Sequence, residues 1–294
     1  MTNAAPVEKM FTSTRPGRAL ARRFVAGETL DEAIATAKRL NEEGFMVSLD
    51  LLGEEVHDRD SALKATDDYL DGLERIATDA LDANISIKPT QLGLAIDEEM
   101  ALDAVNRLGA RAAQIGSTVT IDMEDSRYTE ATVQLFEKGQ AIRGNYGIAL
   151  QSYLRRTPSD LDRLMPLGGH IRLCKGAYME PEEVAFTTKS GVDAAFSRQL
   201  RKLMESPSTK PAIATHDERL IDQTRELASI RTAPFEFQML YGVRPDLQRR
   251  LVSEGFPLRV YLPFGSQWYP YLTRRLAERP SNAWFFAKAL VSGS

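Results

Sequence analysis

Beyond Thr29 the chain repeats one local pattern eight times: a short run with strand spacing, then a longer stretch with helical spacing. The spacing predicts strands at residues 45–51, 85–88, 118–122, 146–151, 170–174, 211–216, 235–240 and 259–262. Around and between them, residues 29–43, 60–81, 97–115, 130–142, 192–205, 218–230 and 245–254 place apolar side chains three and four apart, as a helix with one buried face requires. Strands that alternate with helices imply right-handed βαβ units and a parallel sheet. Eight such units close most readily into a barrel, so the expectation is an α/β fold, a distorted (β/α)8 barrel of the TIM type.

The first helix is announced by Thr29 and Glu32, a capping-box pair, and is stopped by Gly44. Residues 1–28 read as an N-terminal extension in which 19–25 form one short helix, and residues 29–294 as the catalytic barrel. A chain of 294 residues buries enough surface to need no disulfide or structural metal, and Cys174 is the sole cysteine. A formal charge of -4 offers no general case for nucleic-acid binding. No apolar run reaches the ~20 residues needed to span a bilayer, and the first residues lack a signal-peptide core. The expectation is a cytoplasmic protein, with peripheral contact at the inner face of the membrane and the oligomeric state left open.

Active sites of (β/α)8 barrels lie at the C-terminal ends of the strands. The polar residues expected there are Asp50, Lys88, Asp122 with Glu124, Gln151, Arg172 with Lys175, His216, Gln238 and Tyr261. Each is costly to bury unpaired, and together they would converge on one mouth. Arg274 and Arg275 add two cations from the last helix, with Glu278 one turn on to orient them. A pocket rich in Lys and Arg suits a carboxylate or phosphate, and arginine grips a carboxylate through two parallel hydrogen bonds. Arg172 and Lys175 stand three apart, so they can serve one site only if the strand ends or bulges near Cys174, as Gly176 permits. A lysine at a strand end also leaves open a Schiff-base aldolase working through Lys88 or Lys175. No Gly-x-Gly-x-x-Gly, P-loop, Gly-x-Ser-x-Gly or zinc-ligand spacing is present, so a metal is not expected.

The same segments carry a family likeness. KPTQLG at 88–93, IDMED at 121–125, QSYLR at 151–155, RLCKGAY at 172–178, ATH at 214–216 and FEFQMLYG at 235–242 resemble successive strand-end motifs of proline dehydrogenases. RVYLPFG at 259–265, followed by WYPYLTRRLAERP at 268–280, is the most specific, and the segments keep the family's order. The resemblance implies a monofunctional bacterial enzyme that uses FAD to oxidise L-proline to Δ1-pyrroline-5-carboxylate and passes electrons to a quinone. It implies that Arg274 and Arg275 clamp the substrate carboxylate, with Lys88 adding charge and Glu278 holding the arginines. Tyr178 and Tyr261 would pack around the pyrrolidine ring. Asp122 would order the active site, and Arg172 would lie near the flavin N5 edge. Met123, Gln151, Lys175, Gly176, Ala177, Thr215, His216 and Gln238 match flavin-contacting positions.

Overall fold

The computed structural model describes residues 21–53 and 55–277. After a helical turn at residues 21–24, helix α1 (Leu30–Glu42) leads into β1 (Met46–Leu51), α2 (Arg59–Thr78) and β2 (Ala83–Ile87). There follow α3 (Glu98–Gln114), β3 (Val119–Ile121), α4 (Thr129–Arg143), β4 (Tyr146–Gln151) and α5 (Thr157–Leu164). The second half runs β5 (His170–Cys174), α6 (Lys189–Glu205), β6 (Lys210–Ala214), α7 (Glu218–Ala228), β7 (Glu236–Leu240), α8 (Pro245–Ser253), β8 (Leu258–Phe264) and α9 (Trp268–Ala277). The strands pair in sequence order into one closed barrel, β1 pairing with β8.

The expected elements stand, with their ends moved by a few residues. The capping box forms as read: Thr29 Oγ1 accepts from the Glu32 amide, and the Glu32 carboxylate accepts from the Thr29 amide. Helix α5 was not among the helical stretches read from the sequence. It is only 8 residues long, too short for a periodic pattern to stand out. Residues 1–20 of the expected extension lie outside the described residues.

Alternation along the strands sorts side chains into two surroundings. Outward positions are apolar and sealed under the helices: Val47, Leu49, Ile85, Ile87, Val119, Ile121, Ile148, Ile171, Ile213, Phe237 and Val260 are all buried. Tyr146, also outward, reaches between α3 and α4 and donates to Val105 O (3.0 Å). It can do so because residue 109 is glycine; a Cβ there would lie 1.8 Å from the tyrosine oxygen. At about 25 cal/mol per Å² of apolar surface removed from water, this shell supplies the main drive for folding.

Most inward positions are small or polar: Ser48, Asp50, Asn84, Ser86, Thr120, Gly147, Ala149, His170, Arg172, Ala212, Glu236, Gln238, Arg259 and Tyr261. Barrels of this kind ordinarily fill the lumen with branched apolar side chains. Two expectations are corrected here. Polarity was read as a property of the strand ends, yet it runs down the lumen to Asn84, His170, Glu236 and Arg259. Arg172, Gln238 and Tyr261 are mid-strand residues, since β5, β7 and β8 continue two or three positions beyond them.

The last helix lies at the C-terminal end of the barrel. Trp268, Tyr271 and Leu272 of α9 pack with Leu52, which follows β1, and with Ala21, Phe24 and Val25. Backbone hydrogen bonds from Ala26 N to Pro263 O (2.8 Å) and from Gly265 N to Gly27 O (3.0 Å) tie the incoming segment to β8.

Candidate active site

One guanidinium organises the mouth. Arg172 reaches across the lumen from β5, donating from Nη1 to Ser86 Oγ on β2 (3.0 Å) and from Nε to Gln238 Oε1 on β7 (2.5 Å). Nη1 also pairs with Asp122 Oδ1, just past β3. Asp122 accepts from Ser86 Oγ (2.8 Å) and, at Oδ2, from the Tyr261 hydroxyl (2.8 Å). The Tyr261 ring centroid sits 5.1 Å from the Arg172 guanidinium carbon, a cation–π contact. The side chains of Arg172 and Asp122 are 6% and 13% exposed, so both charges have left water and depend on this pairing. Burial, with Asp122 beside it, holds the Tyr261 phenol well above its ordinary pKa and keeps it a donor.

The set is complete except for one atom. Arg172 Nη2 is buried and has no hydrogen-bond partner among the described residues. A buried unpaired donor costs roughly 1–3 kcal/mol, more when charged, so the arrangement is built for a ligand with an electron-rich atom.

Lys88, directly after β2, pairs with Asp50 at the end of β1, and its ammonium also approaches Leu51 O (3.4 Å). Burial would pull the lysine pKa down, but the carboxylates of Asp50 and Asp122 outweigh it and hold the ammonium charged above its ordinary range. A Schiff-base nucleophile needs a neutral amine, so this environment works against the aldolase reading. Asp50 was read as a strand-end residue without a role; here it is the partner of Lys88. Ser86 was missed altogether. The signal lay in strand parity, because it stands two residues before Lys88 and so faces the same way.

The loops after β3, β4 and β5 are locked together by an amide. Gln151 donates from Nε2 to Glu124 O (2.8 Å) and accepts at Oε1 from Ala177 N (3.0 Å). Glu124 in turn accepts from Thr90 N (2.9 Å) and Thr90 Oγ1 (2.6 Å), while burial pushes its pKa up. The strand carrying Arg172 ends at Cys174, one of the two ways the spacing of Arg172 and Lys175 left open, and Gly176 takes φ +138°. Only glycine serves there, since a Cβ would lie 2.3 Å from the Tyr153 ring. Beyond that turn Lys175 pairs with Asp193 Oδ1 (2.5 Å) and Asp217 Oδ2 (3.0 Å) at the starts of α6 and α7. Thr215 Oγ1 accepts from Asp217 N (3.1 Å), and His216 Nε2 accepts from Leu240 N of β7 (3.2 Å).

Of the remaining site residues, Met123 is buried beside Asp122, and Tyr178 is half-buried in the loop after β5. Arg274 and Arg275 belong to α9, whose described side chains place it at the mouth; their own side chains, and all of Glu278, lie outside the described residues. Lys88, Asp122, Gln151, Arg172, Gln238 and Tyr261 are thus brought to one end of the barrel.

Against known proteins, a family model described as proline dehydrogenase matches residues 33–288. Proline dehydrogenase 1 of Bacillus subtilis is 39% identical over 274 residues, covering 92% of this chain and 90% of the relative. The proline dehydrogenase of Deinococcus radiodurans is 37% identical over 282 residues, covering 93% and 91%. Among solved structures, proline utilization A of Bdellovibrio bacteriovorus inactivated by N-propargylglycine superposes with a TM-score of 0.82 at 25% identity. That match covers 88% of this chain but 32% of the other, so the chain spans about a third of that structure's length.

Proposed function

The chain belongs to the proline dehydrogenase family and is an oxidoreductase acting on proline, and on that premise we propose that its barrel mouth holds FAD and presents L-proline to it. The product in this reading is Δ1-pyrroline-5-carboxylate, and a quinone is the final electron acceptor. The observation that carries the cofactor assignment is the buried Nη2 of Arg172, unpartnered among the described residues while the other guanidinium nitrogens are bonded. A flavin offers electron-rich ring atoms to such a donor, and Lys175 with the backbone turn at Gly176 and Ala177, just past the end of β5, would line the same cofactor. Met123, Gln151, Thr215, His216 and Gln238 complete the set that would hold it. FAD, when bound, supplies the two-electron acceptor for the hydride leaving the carbon beside the amine.

The protein's own task is then to position and to balance charge. Arg274 and Arg275 grip the substrate carboxylate, with Glu278 ordering them, and Lys88 adds a charge that Asp50 keeps fixed. Tyr178 and Tyr261 pack about the ring. Arg172 holds a positive charge in a site with little water, where it stabilises negative charge far better than in solution. Asp122 already accepts from Ser86, Arg172 and Tyr261, which suits a group that orders the site. No helix among the described residues is long and apolar enough to cross a membrane, and delivery to a membrane quinone would be by peripheral contact from the cytoplasmic side.

The test is optical. Purified protein should show flavin absorption that bleaches on anaerobic addition of L-proline and returns with a soluble quinone. Colourless protein that takes up no added FAD would overturn the cofactor assignment. Borohydride trapping of a carbonyl-bearing carboxylate substrate on Lys88 or Lys175 would restore the aldolase.

A further inference from the structure

Below the mouth lies a second buried ionic cluster that the proposed chemistry does not use. Glu236, at the start of β7, accepts from Arg259 of β8 at both oxygens, Nε to Oε1 (2.8 Å) and Nη2 to Oε2 (3.2 Å). Arg259 also donates from Nη1 to Val47 O (2.9 Å), and His170 Nε2 approaches Glu236 Oε1 (3.4 Å). The three side chains are 11% to 12% exposed. A third donor reaches Glu236 from above: Gln238 Nε2 lies 2.6 Å from Oε1.

That last bond joins the two clusters. Gln238 stands two residues along β7 from Glu236, so both side chains enter the lumen and the amide lies between Glu236 and Arg172. A primary amide is a donor at one end and an acceptor at the other. Glu236 as a carboxylate can only accept, so it selects the NH2 end, and the oxygen is left to face Arg172 Nε. Turned the other way, the amide would set a donor against a guanidinium and a carbonyl oxygen against a carboxylate, and both contacts would repel. Burial works to protonate Glu236, but Arg259 and His170 outweigh it and hold its pKa below the ordinary range, so it stays an acceptor.

We propose that Glu236 is a positioning residue for the dehydrogenase reaction: it fixes the Gln238 amide so that Gln238 draws on Arg172 Nε and leaves Nη2 directed to its ligand. The proposal rests on the assignment of Arg172 as the site cation. It adds that the lumen floor sets the aim of that cation without touching substrate or cofactor.

The test uses the holoenzyme and four variants, E236Q, Q238L, E236Q/Q238L and E236M/R259M. The last removes the buried pair together, so that no charge is left alone if E236Q folds poorly. Three quantities are read: the rate of anaerobic flavin reduction at saturating L-proline, the proline concentration at half-maximal rate, and the Arg172 Nε–H resonance in 15N-labelled protein. E236Q and E236M/R259M should each slow reduction roughly tenfold or more, as misplacement of a charged group near the reaction does. Half-saturation should change less than about twofold, as for a group that does not bind the ground state. The Arg172 resonance should shift, and adding E236Q to Q238L should have no further effect on rate. Reduction at the wild-type rate in E236M/R259M, an unmoved Arg172 resonance, or additive losses in E236Q/Q238L would each overturn the proposal. R172K separates the two levels. If R172K itself reduces at the wild-type rate, the assignment of Arg172 falls and takes the proposal with it; if R172K is slow while the other variants fail as above, only the role of Glu236 falls.

Discussion

The two ionic clusters in the lumen use the same chemistry to different ends. At the floor, Glu236, Arg259 and His170 are bonded to one another, to the backbone of β1 and to Gln238, and each of the Arg259 nitrogens has a partner. At the mouth, Arg172 and Asp122 are equally well paired, yet one guanidinium nitrogen is left over among the described residues. Both clusters bear the desolvation cost of buried charge, which pairing offsets only where geometry is good. A closed cluster returns that cost as a fixed lumen. An open one holds a charge ready for a ligand.

The comparison predicts that mouth variants lose chiefly rate, while floor variants lose chiefly stability and, through Gln238, a smaller part of the rate. The largest effect should be at Arg172: R172K should lower kcat for proline by about a hundredfold to a thousandfold, the range for losing one preorganised electrostatic donor, with little change in urea midpoint. A rate within a few fold of wild type would remove the distinction between the clusters. R259M should do the reverse, costing about 3–5 kcal/mol in urea unfolding by leaving Glu236 buried and unpaired, with a smaller loss of kcat. Equal losses of rate and stability in that variant would mean that the lumen behaves as one unit.

The floor also contains its own acid sensor. Burial first, and then the positive charges of Arg259, Arg172 and Lys210, press the His170 pKa down from 6.5 to about 4 although Glu236 opposes them. Unfolded, the ring takes up a proton below about 6.5; folded, only below about 4. Between those values the unfolded chain binds more protons, so acidification favours unfolding, by roughly 3 kcal/mol at full extent. Urea midpoints at pH 7 and pH 4 should therefore fall less in H170Q than in wild type, and parallel curves would place the acid response elsewhere.

The smallest predicted effect concerns substrate choice. Tyr261, fixed by its bond to Asp122, should crowd a hydroxyl on the pyrrolidine ring. In Y261S the rate on both substrates should fall because Asp122 loses a donor. The kcat/KM ratio of proline to 4-hydroxyproline should narrow by about tenfold, within the range that pocket sterics supply. An unchanged ratio would leave Tyr261 as a support for Asp122 alone.

Much of this was legible before any coordinates. Thr29 and Glu32 marked the first helix because a capping box is a local hydrogen-bond exchange, and it forms as read. Side chains three apart on a strand face opposite ways, so Arg172 and Lys175 could share a site only if β5 ended or bulged near Cys174; Gly176 permits either, and the strand ends. The roles of Arg259 and Glu236 were not legible. Both belong to segments singled out for their likeness, but nothing local distinguishes a lumen-floor ion pair from a solvated one.

The sequence by itself determined the alternation, and with it the barrel and the kinds of charge at each strand, because a period of two or 3.6 is written in neighbouring residues. Partner choice was decided only by closure. Asp50 meets Lys88, and Arg172 meets Ser86, Asp122 and Gln238, because the barrel's register brings chosen levels of β1, β2, β3, β5 and β7 to one height. Register is a property of the closed sheet as a whole. It fixes which donor finds an acceptor, and that Arg172 Nη2 finds none among the described residues.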